Sequence, residues 1–268
     1  MKEHLLLPEE QLQEASNKGN KKLIKMMIKL VIILTIYITW ILCKIFYIKD
    51  DNGYVNPLYD FKDNFMIIVL KGFTDYLSQI LQLRDIILIF ASLALDFLFF
   101  FTIINFICYG NSSKFPFGFL IFFLFRSAVV QNLFVLKMYD TYLFDFPGFY
   151  SICVPLYPAN DFFYSGHIGT CLLLSFYVRD NVKYKLPFFI ACVIIMIETI
   201  VMITLRAHYS IDIIFGFIAA HYFFINVHIF SEFFDTRVGF FGRPKKSIET
   251  RKIKKIYDQL ENDFATKV

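Results

Sequence analysis

Residues that build loops and charged surfaces are scarce in this chain of 268 residues. It contains 11 glycines and 8 prolines, and only 19% of its residues are charged, compared with about 25% in an average soluble domain. These shortages exclude a collagen-like repeat, a disordered chain and an ordinary soluble enzyme. The five cysteines are scattered without a CxxC pair, so neither a disulfide framework nor a zinc site is indicated.

What the chain has in excess is apolar and aromatic side chains. Hydrophobic residues make up 57% of it, 35 residues are phenylalanine, and the mean hydropathy is +0.55. One soluble core does not need so much apolar surface, whereas a helix that crosses a bilayer needs about 20 consecutive apolar residues. The composition therefore predicts an all-α, polytopic membrane protein.

Six apolar runs are the predicted transmembrane helices of this fold. In chain order they are 23–48, 86–109, 117–137, 166–179, 187–205 and 211–231. The stretch 62–82 is interrupted by charge and is interpreted as an amphipathic helix at the membrane surface. These elements predict a tail over 1–22, a six-span domain over 23–236 and a basic tail over 237–268.

The lysines and arginines predict the orientation of the chain. They cluster before the first run, after the last run and in the short loop 179–185. With six spans, these three clusters fall on one side, which the positive-inside rule assigns to the cytosol. Both termini are then cytosolic, and the segments 138–164 and 206–210 face the lumen or the exterior.

Two short stretches on that outer side carry the candidate chemistry. The first reads Asp161-Phe-Phe-Tyr164-Ser165-Gly166-His167, and the second reads Arg206-Ala-His208-Tyr209-Ser210-Ile211-Asp212. Histidine and charged residues are costly in apolar segments, which makes them candidates for function. A lone histidine of this kind more often packs between helices, but two such groups predicted at one membrane face favour a shared site.

The residue types in the two stretches suit phosphoryl transfer. If a helix begins at or before His208, Asp212 lies one turn away on the same face and can orient the imidazole. One imidazole can then attack phosphorus, while His167 protonates the leaving alkoxide. Arg206 can bind phosphate oxygens with its planar guanidinium, so no metal or other cofactor is expected.

Both strings resemble motifs of the sphingomyelin synthase family, within the lipid phosphatase and phosphotransferase superfamily. Tyr-Ser-Gly-His and His-Tyr-Ser-Ile-Asp are similar to its third and fourth motifs, and Asp161 stands six residues before the histidine as in the third. A looser likeness to the first motif lies at 57–60, and another, to the second, lies at 126–131. The resemblance implies His208 as the phosphohistidine-forming nucleophile, Asp212 as its orienting partner and His167 as general acid and then base.

Departures from the motifs leave the lipid acceptor open. Arg206, two residues before His208, is more similar to the plant phosphatidylcholine:diacylglycerol cholinephosphotransferases than to the synthases. The expected donor is phosphatidylcholine or phosphatidylethanolamine, and the expected acceptor is ceramide or diacylglycerol. Tyr164 occupies the position of a proline that the phosphatases of the superfamily usually carry, which favours a transferase. A lipid phosphate phosphatase and a non-catalytic membrane protein of the same fold are the alternatives.

Six further residues of the two stretches are assigned to substrate binding. They are Asp161, Tyr164, Ser165, Gly166, Arg206 and Tyr209, and the tyrosines either enclose a choline ammonium or belong to an interfacial aromatic belt. Asp96 and Glu198, inside predicted spans, bind each other, a head group or backbone groups, or are protonated structural carboxyls. No nucleic-acid partner is expected, a homo-oligomer stays open, and the Golgi, endoplasmic reticulum and plasma membrane are all compatible with the sequence.

Overall fold

The computed structural model describes residues 9–47, 65–127, 143–154 and 164–238, which form helices and connecting segments. The helices of these ranges are α1 (Glu9–Tyr47), α2 (Phe65–Gln79), α3 (Leu81–Tyr109), α4 (Lys114–Phe125), α5 (Gly166–Asn181), α6 (Lys185–Thr204) and α7 (Ser210–Val238). The all-α class is therefore confirmed over the described part of the chain. The motif-like segment 57–60, residues 128–137 of the third run, Asp161 and the basic tail beyond 238 lie outside it.

Three of these helices are long and apolar enough to cross a membrane. They are Leu81–Tyr109, Lys185–Thr204 and Ser210–Asp235, and α4 is a shorter apolar helix. Their outward surfaces carry large hydrophobic side chains, and Phe90, Phe97 and Ile104 are each about 60% exposed. Faces of this kind need an apolar surrounding, which supports membrane association. The number of six spans stays a prediction.

Several boundaries differ from those expected. α1 begins at Glu9, fourteen residues before the first predicted run, so part of the predicted tail 1–22 is helical. Its early turns carry Lys18, Lys21, Lys22 and Lys25, which lie exposed and need no apolar partner. α7 continues to Val238 because its later turns pack on α4, with Phe234 against Phe117.

The helices pack around α5, which contacts α6 and α7 on two sides and α3 and α4 on others. The largest cluster of buried side chains joins α3, α5 and α6, with Leu95, Ile168, Leu174 and Met202 almost fully enclosed. α1 lies against α3 and α4, and α2 lies against α6. Thr74 of α2 donates a hydrogen bond to the carbonyl of Thr204 at 2.9 Å, which attaches α2 to the end of α6.

The bundle has two distinct ends. At the first, which we call the histidine end, α5 and α7 begin, α6 finishes and α2 is attached. At the second, which we call the lysine end, the Lys29 ammonium donates to the carbonyls of Phe106 and Gly110 at the end of α3. There, Asp235 of α7 accepts hydrogen bonds from the backbone N–H of Ser113, next to the start of α4. The two sequence stretches that carry the candidate chemistry therefore meet at one end of the bundle.

Candidate active site

Two histidines from distant parts of the chain are in direct contact at the histidine end. His167 Nδ1 lies 3.3 Å from His208 Nε2, and the two ring planes are inclined at 66°. His167 stands in the first turn of α5, and His208 lies in the turn between α6 and α7. The distance leaves no room for a phosphorus atom between the two nitrogens, so a phosphate bound to both rings must separate them. Two imidazole nitrogens that face each other can divide the roles of nucleophile and proton donor.

Asp212 lies on the other side of the His208 ring. Its Oδ2 atom is 3.6 Å from His208 Nδ1, and its side chain is fully buried. The condition that a helix begins at or before His208 is not met, because α7 begins at Ser210. The contact forms nevertheless, since Asp212 in the first turn reaches back and accepts a hydrogen bond from the Tyr209 N–H at 3.1 Å. A carboxylate in the first turn is also favoured by the helix dipole.

The turn that carries His208 follows the end of α6, and it contains Arg206 in a left-handed backbone conformation. The N–H of Ala207 bonds to the Met202 carbonyl at 3.0 Å, and the N–H of Arg206 bonds to the Ile203 carbonyl at 3.2 Å. These two bonds form a Schellman motif, in which the residue at the position of Arg206 usually is glycine. Arg206 adopts a φ of 52° there, the left-handed conformation that costs a residue with a Cβ about 1–2 kcal/mol. An arginine held at this cost next to His208 points to a requirement for its side chain.

Backbone contacts join the two stretches into one unit. The N–H of Ser165 donates to the Asp212 carbonyl at 2.8 Å, and the Ser165 hydroxyl accepts from the N–H of Ile168 as the N-cap of α5. Gly216 of α7 lets this approach happen, because a Cβ there would lie 3.0 Å from the Ser165 carbonyl oxygen. The position of His167 relative to Asp212 is therefore fixed by main-chain atoms.

Arg126, which directly follows α4, adds a positive charge that the two motifs did not reveal. Its Nε donates to the Tyr164 carbonyl at 3.3 Å, and its side chain is buried. Its guanidinium lies against Gly166, where a Cβ would come within 3.1 Å of Cζ. Gly166 is thus required for the close approach of Arg126, next to His167 and the N-terminus of α5. A helix N-terminus beside an arginine favours a phosphate group. In the sequence, only the loose likeness of 126–131 to the second family motif points to Arg126.

The two tyrosines assigned to substrate binding are enclosed by protein. Tyr164 is 1% exposed, its hydroxyl donates to the Phe122 carbonyl at 2.7 Å, and its ring packs on Phe122. Tyr209 is fully buried at the start of α7. These placements fit residues that hold the site together better than an aromatic enclosure around a choline group. Asp161, the other expected binding residue of the first stretch, lies outside the described residues.

A segment at 143–154, which we call the strap, lies over His167. The N–H of Leu143 donates to the Leu205 carbonyl at 3.0 Å, and the Phe144 ring contacts the His167 ring edge to face. The other end of the strap is attached to α3, because Asp96 accepts hydrogen bonds from the Ser151 hydroxyl and the N–H groups of Ile152 and Cys153. Several kinds of partner were left open for Asp96 by the sequence. The structure shows that it binds backbone N–H groups of the strap, together with the Ser151 hydroxyl.

The Cys153 thiol in the strap is not a competing nucleophile. Burial raises its pKa well above the usual value, and the Asp96 carboxylate raises this pKa further. The thiol therefore stays protonated at neutral pH, and only the thiolate is strongly nucleophilic. Within the described ranges, no three histidine, cysteine, aspartate or glutamate side chains are grouped so that they could hold a metal ion.

Glu198 of α6 is fully buried, and neither carboxyl oxygen has a hydrogen-bond partner among the described residues. A pairing with Asp96, one of the alternatives left open by the sequence, is not formed, because Asp96 binds the strap. His221, on α7, lies exposed in an outer groove against Phe176, away from the histidine pair.

Comparison with known proteins adds one finding at the level of the superfamily. No curated protein and no solved structure matches the chain. A family model does match residues 159–229, a range that contains His167, His208 and Asp212. That family is described as PAP2 superfamily C-terminal, and the match supports placing the chain in the lipid phosphatase and phosphotransferase superfamily.

Proposed function

We propose that the chain is a membrane phosphotransferase that moves phosphocholine or phosphoethanolamine from a glycerophospholipid to ceramide or diacylglycerol. The single observation that carries this proposal is the contact series His167–His208–Asp212, at 3.3 Å and 3.6 Å, assembled from two distant stretches. The superfamily match supports a reaction at a lipid phosphate group. The likeness of both stretches to sphingomyelin synthase motifs supports the transfer reaction.

The first half of the reaction forms a phosphohistidine. His208 Nε2 attacks phosphorus, a P–N bond forms, and the P–O bond to the glycerol oxygen breaks. The diacylglycerol oxygen takes a proton from His167, after the phosphate has entered between Nδ1 and the attacking nitrogen and separated them beyond their 3.3 Å. Asp212 stabilises the positive charge that develops on His208. Arg206, Arg126 and the first N–H groups of α5 provide positive charge for the phosphate oxygens.

The second half reverses these bond changes with another alcohol. His167, now neutral, takes the proton of the acceptor hydroxyl, and that oxygen attacks phosphorus. The P–N bond breaks, which returns His208 to its neutral state. An imidazole has a reference pKa of about 6.5, so His167 can serve as acid and then as base near neutral pH.

The same proposal includes the membrane arrangement. Six spans with both termini cytosolic would place the histidine end at the lumenal or exterior surface, with the domain over 23–236 and a basic tail after it. The lysine-rich first turns of α1 and the ionic contacts at the lysine end are compatible with a cytosolic side. Cysteine scanning with a membrane-impermeant reagent tests this arrangement, because an exposed cysteine placed near residue 148 should react from outside only.

A lipid phosphate phosphatase is the second candidate, and the superfamily match is equally compatible with it. In that reaction water replaces the lipid alcohol as the acceptor at the same residues. Purified protein, given labelled phosphatidylcholine with ceramide and diacylglycerol in competition, distinguishes the two reactions. A transferase produces labelled lipid in proportion to the preferred acceptor. Release of phosphocholine or phosphate alone, unaffected by either acceptor, would reject the transferase.

A further inference from the structure

The early turns of α1 extend past the lysine end of the bundle and carry a row of lysines. Lys29 marks the boundary, because its ammonium donates to the Gly110 carbonyl at the end of α3, while Ile32 and Ile33 after it pack on the buried cluster. The turns before Lys29 therefore lead away from the bundle. The segment 18–28 contains no acidic residue and carries four exposed lysines, which we call the lysine row: Lys18, Lys21, Lys22 and Lys25.

The lysine row and Lys29 share one face of α1. At 3.6 residues per turn, all of them except Lys21 fall within a sector of about 60°, and Lys21 lies about 40° beyond its edge. The opposite face of the same turns carries large apolar side chains that are more than half exposed, namely Leu23, Ile24 and Met27. A helix with an exposed apolar face opposite a charged face is typical of the boundary between lipid and water.

The position of the lysine row along α1 matches the depth of lipid head groups. The apolar helix α3 ends at Tyr109, next to the carbonyl that Lys29 binds. Lys25 precedes Lys29 by about 6 Å along the axis, and Lys22 precedes it by about 10 Å. The head-group layer extends roughly 5–8 Å beyond the hydrocarbon on each side of a bilayer. Because the long stem of a lysine adds further reach, the ammonium groups of Lys22 and Lys25 can meet the phosphates of adjacent lipids.

We propose that the lysine row binds the head group of an anionic phospholipid in the leaflet at the lysine end. The apolar face of the same turns contacts the acyl chains of that leaflet, while the ammonium groups pair with the phosphate and carboxylate of a head group such as phosphoserine. A soluble polyanion would gain the charge contacts alone, so the apolar face favours a lipid. In the membrane arrangement proposed above, this leaflet is the cytosolic one, where anionic lipids are concentrated.

Two double variants with the same change in charge test this site. Lys22→Gln with Lys25→Gln removes two charges of the lysine row, whereas Lys183→Gln with Lys185→Gln removes two exposed charges at the start of α6. Native mass spectrometry of purified protein from micelles with equal phosphatidylserine and phosphatidylcholine measures which lipid is retained.

The wild-type protein should retain phosphatidylserine in preference to phosphatidylcholine. The first double variant should lower this preference by at least about tenfold, because each lysine near an anionic surface contributes about fivefold. The second double variant should change it by less than about twofold. Equal losses in the two double variants, or no preference in the wild type, would overturn the inference.

Charge-retaining variants and a soluble competitor identify the type of ligand. Lys22→Arg with Lys25→Arg should keep the preference, and added salt should weaken it in the wild type. Glycerophosphoserine, which has the head group without acyl chains, should displace little phosphatidylserine at equal concentration. Displacement as efficient as that by phosphatidylserine itself would assign the lysine row to a soluble anion and reject the lipid.

This retention is measured without turnover, so its outcome is independent of the proposed function. A preference for phosphatidylserine in a protein that transfers no head group would keep the lipid site and reject the proposed function. Head-group transfer by a protein with no such preference would do the reverse.

Discussion

The two ends of the bundle use charged side chains in opposite ways. At the lysine end, charges meet the free backbone groups of helix termini: Lys29 binds carbonyls at the end of α3, and Asp235 accepts from the Ser113 N–H at 3.0 Å. At the histidine end, ionisable groups are turned toward one another, with His208 between His167 and Asp212. Free backbone groups at helix ends need partners in any fold, so the first arrangement serves stability.

The second arrangement is costly for stability and therefore indicates function. Asp212 is fully buried, and its Oδ1 atom has no hydrogen-bond partner among the described residues. Arg206 occupies a left-handed position nearby. Buried charge and backbone strain persist where chemistry needs them. Substitutions at the two ends should consequently separate activity from stability.

The largest effect is expected for His208, the proposed nucleophile at the histidine end. His208→Ala removes the atom proposed to bond to phosphorus, so turnover should fall by more than about 10⁴-fold with the fold retained. The rate of labelled-lipid formation measures this loss, and circular dichroism reports the fold. His221→Ala, on the exposed face of α7 and away from the histidine pair, is the matched control and should retain full activity. Substantial turnover by His208→Ala would refute the assignment.

Arg206→Gly should change activity and stability in opposite directions. Loss of the guanidinium should lower kcat/KM about 10- to 100-fold, the scale of one or more hydrogen bonds to a charged group. Glycine adopts the left-handed conformation without strain, so the free energy of unfolding should rise by about 1 kcal/mol. Thermal unfolding in detergent and steady-state kinetics give the two values. A variant that loses stability while it retains activity contradicts this role for Arg206.

Asp96→Ala should lower both activity and stability, because Asp96 binds the strap rather than substrate. Three donors of the strap lose their acceptor, so we expect turnover to fall about tenfold and stability to fall by about 1–3 kcal/mol. Asp96→Asn retains one acceptor oxygen and should recover part of both. The idea fails if the alanine variant matches the wild type in turnover at saturating lipid.

Asp235→Ala, at the lysine end, should affect stability alone. The Ser113 N–H would lose its partner at a buried position, which costs about 1–3 kcal/mol, while kcat should stay within about twofold of the wild type. Thermal unfolding and the same lipid assay measure the two quantities. A variant with unchanged unfolding but reduced kcat would show that the two ends are coupled.

The helical class and the two reactive stretches could be predicted from local patterns in the sequence. Apolar runs indicate helices, and His167, His208 and Asp212 each stand in a short string of recognisable spacing. The predicted sixth run, 211–231, begins within one residue of α7, whereas the reach of Asp212 back to the Tyr209 N–H could not be predicted, because it depends on the turn that follows α6.

Contacts between distant residues were harder to predict. Arg126 was only loosely indicated, since its hydrogen bond to the Tyr164 carbonyl joins residues 38 positions apart. The attachment of the strap to Asp96 involves backbone donors, which leave no residue pattern in the chain. The sequence therefore predicted three side chains that the structure brings together, but little of what holds them in place.

The hydrogen bond from the Ser165 N–H to the Asp212 carbonyl, at 2.8 Å, has a consequence for how such a site can diversify. Because main-chain atoms make this link, the contact between the two stretches does not depend on the side chains of His167 and Asp212. Exchanging those side chains leaves the scaffold in register, so new chemistry can arise by point substitution without redesign of the surrounding helices.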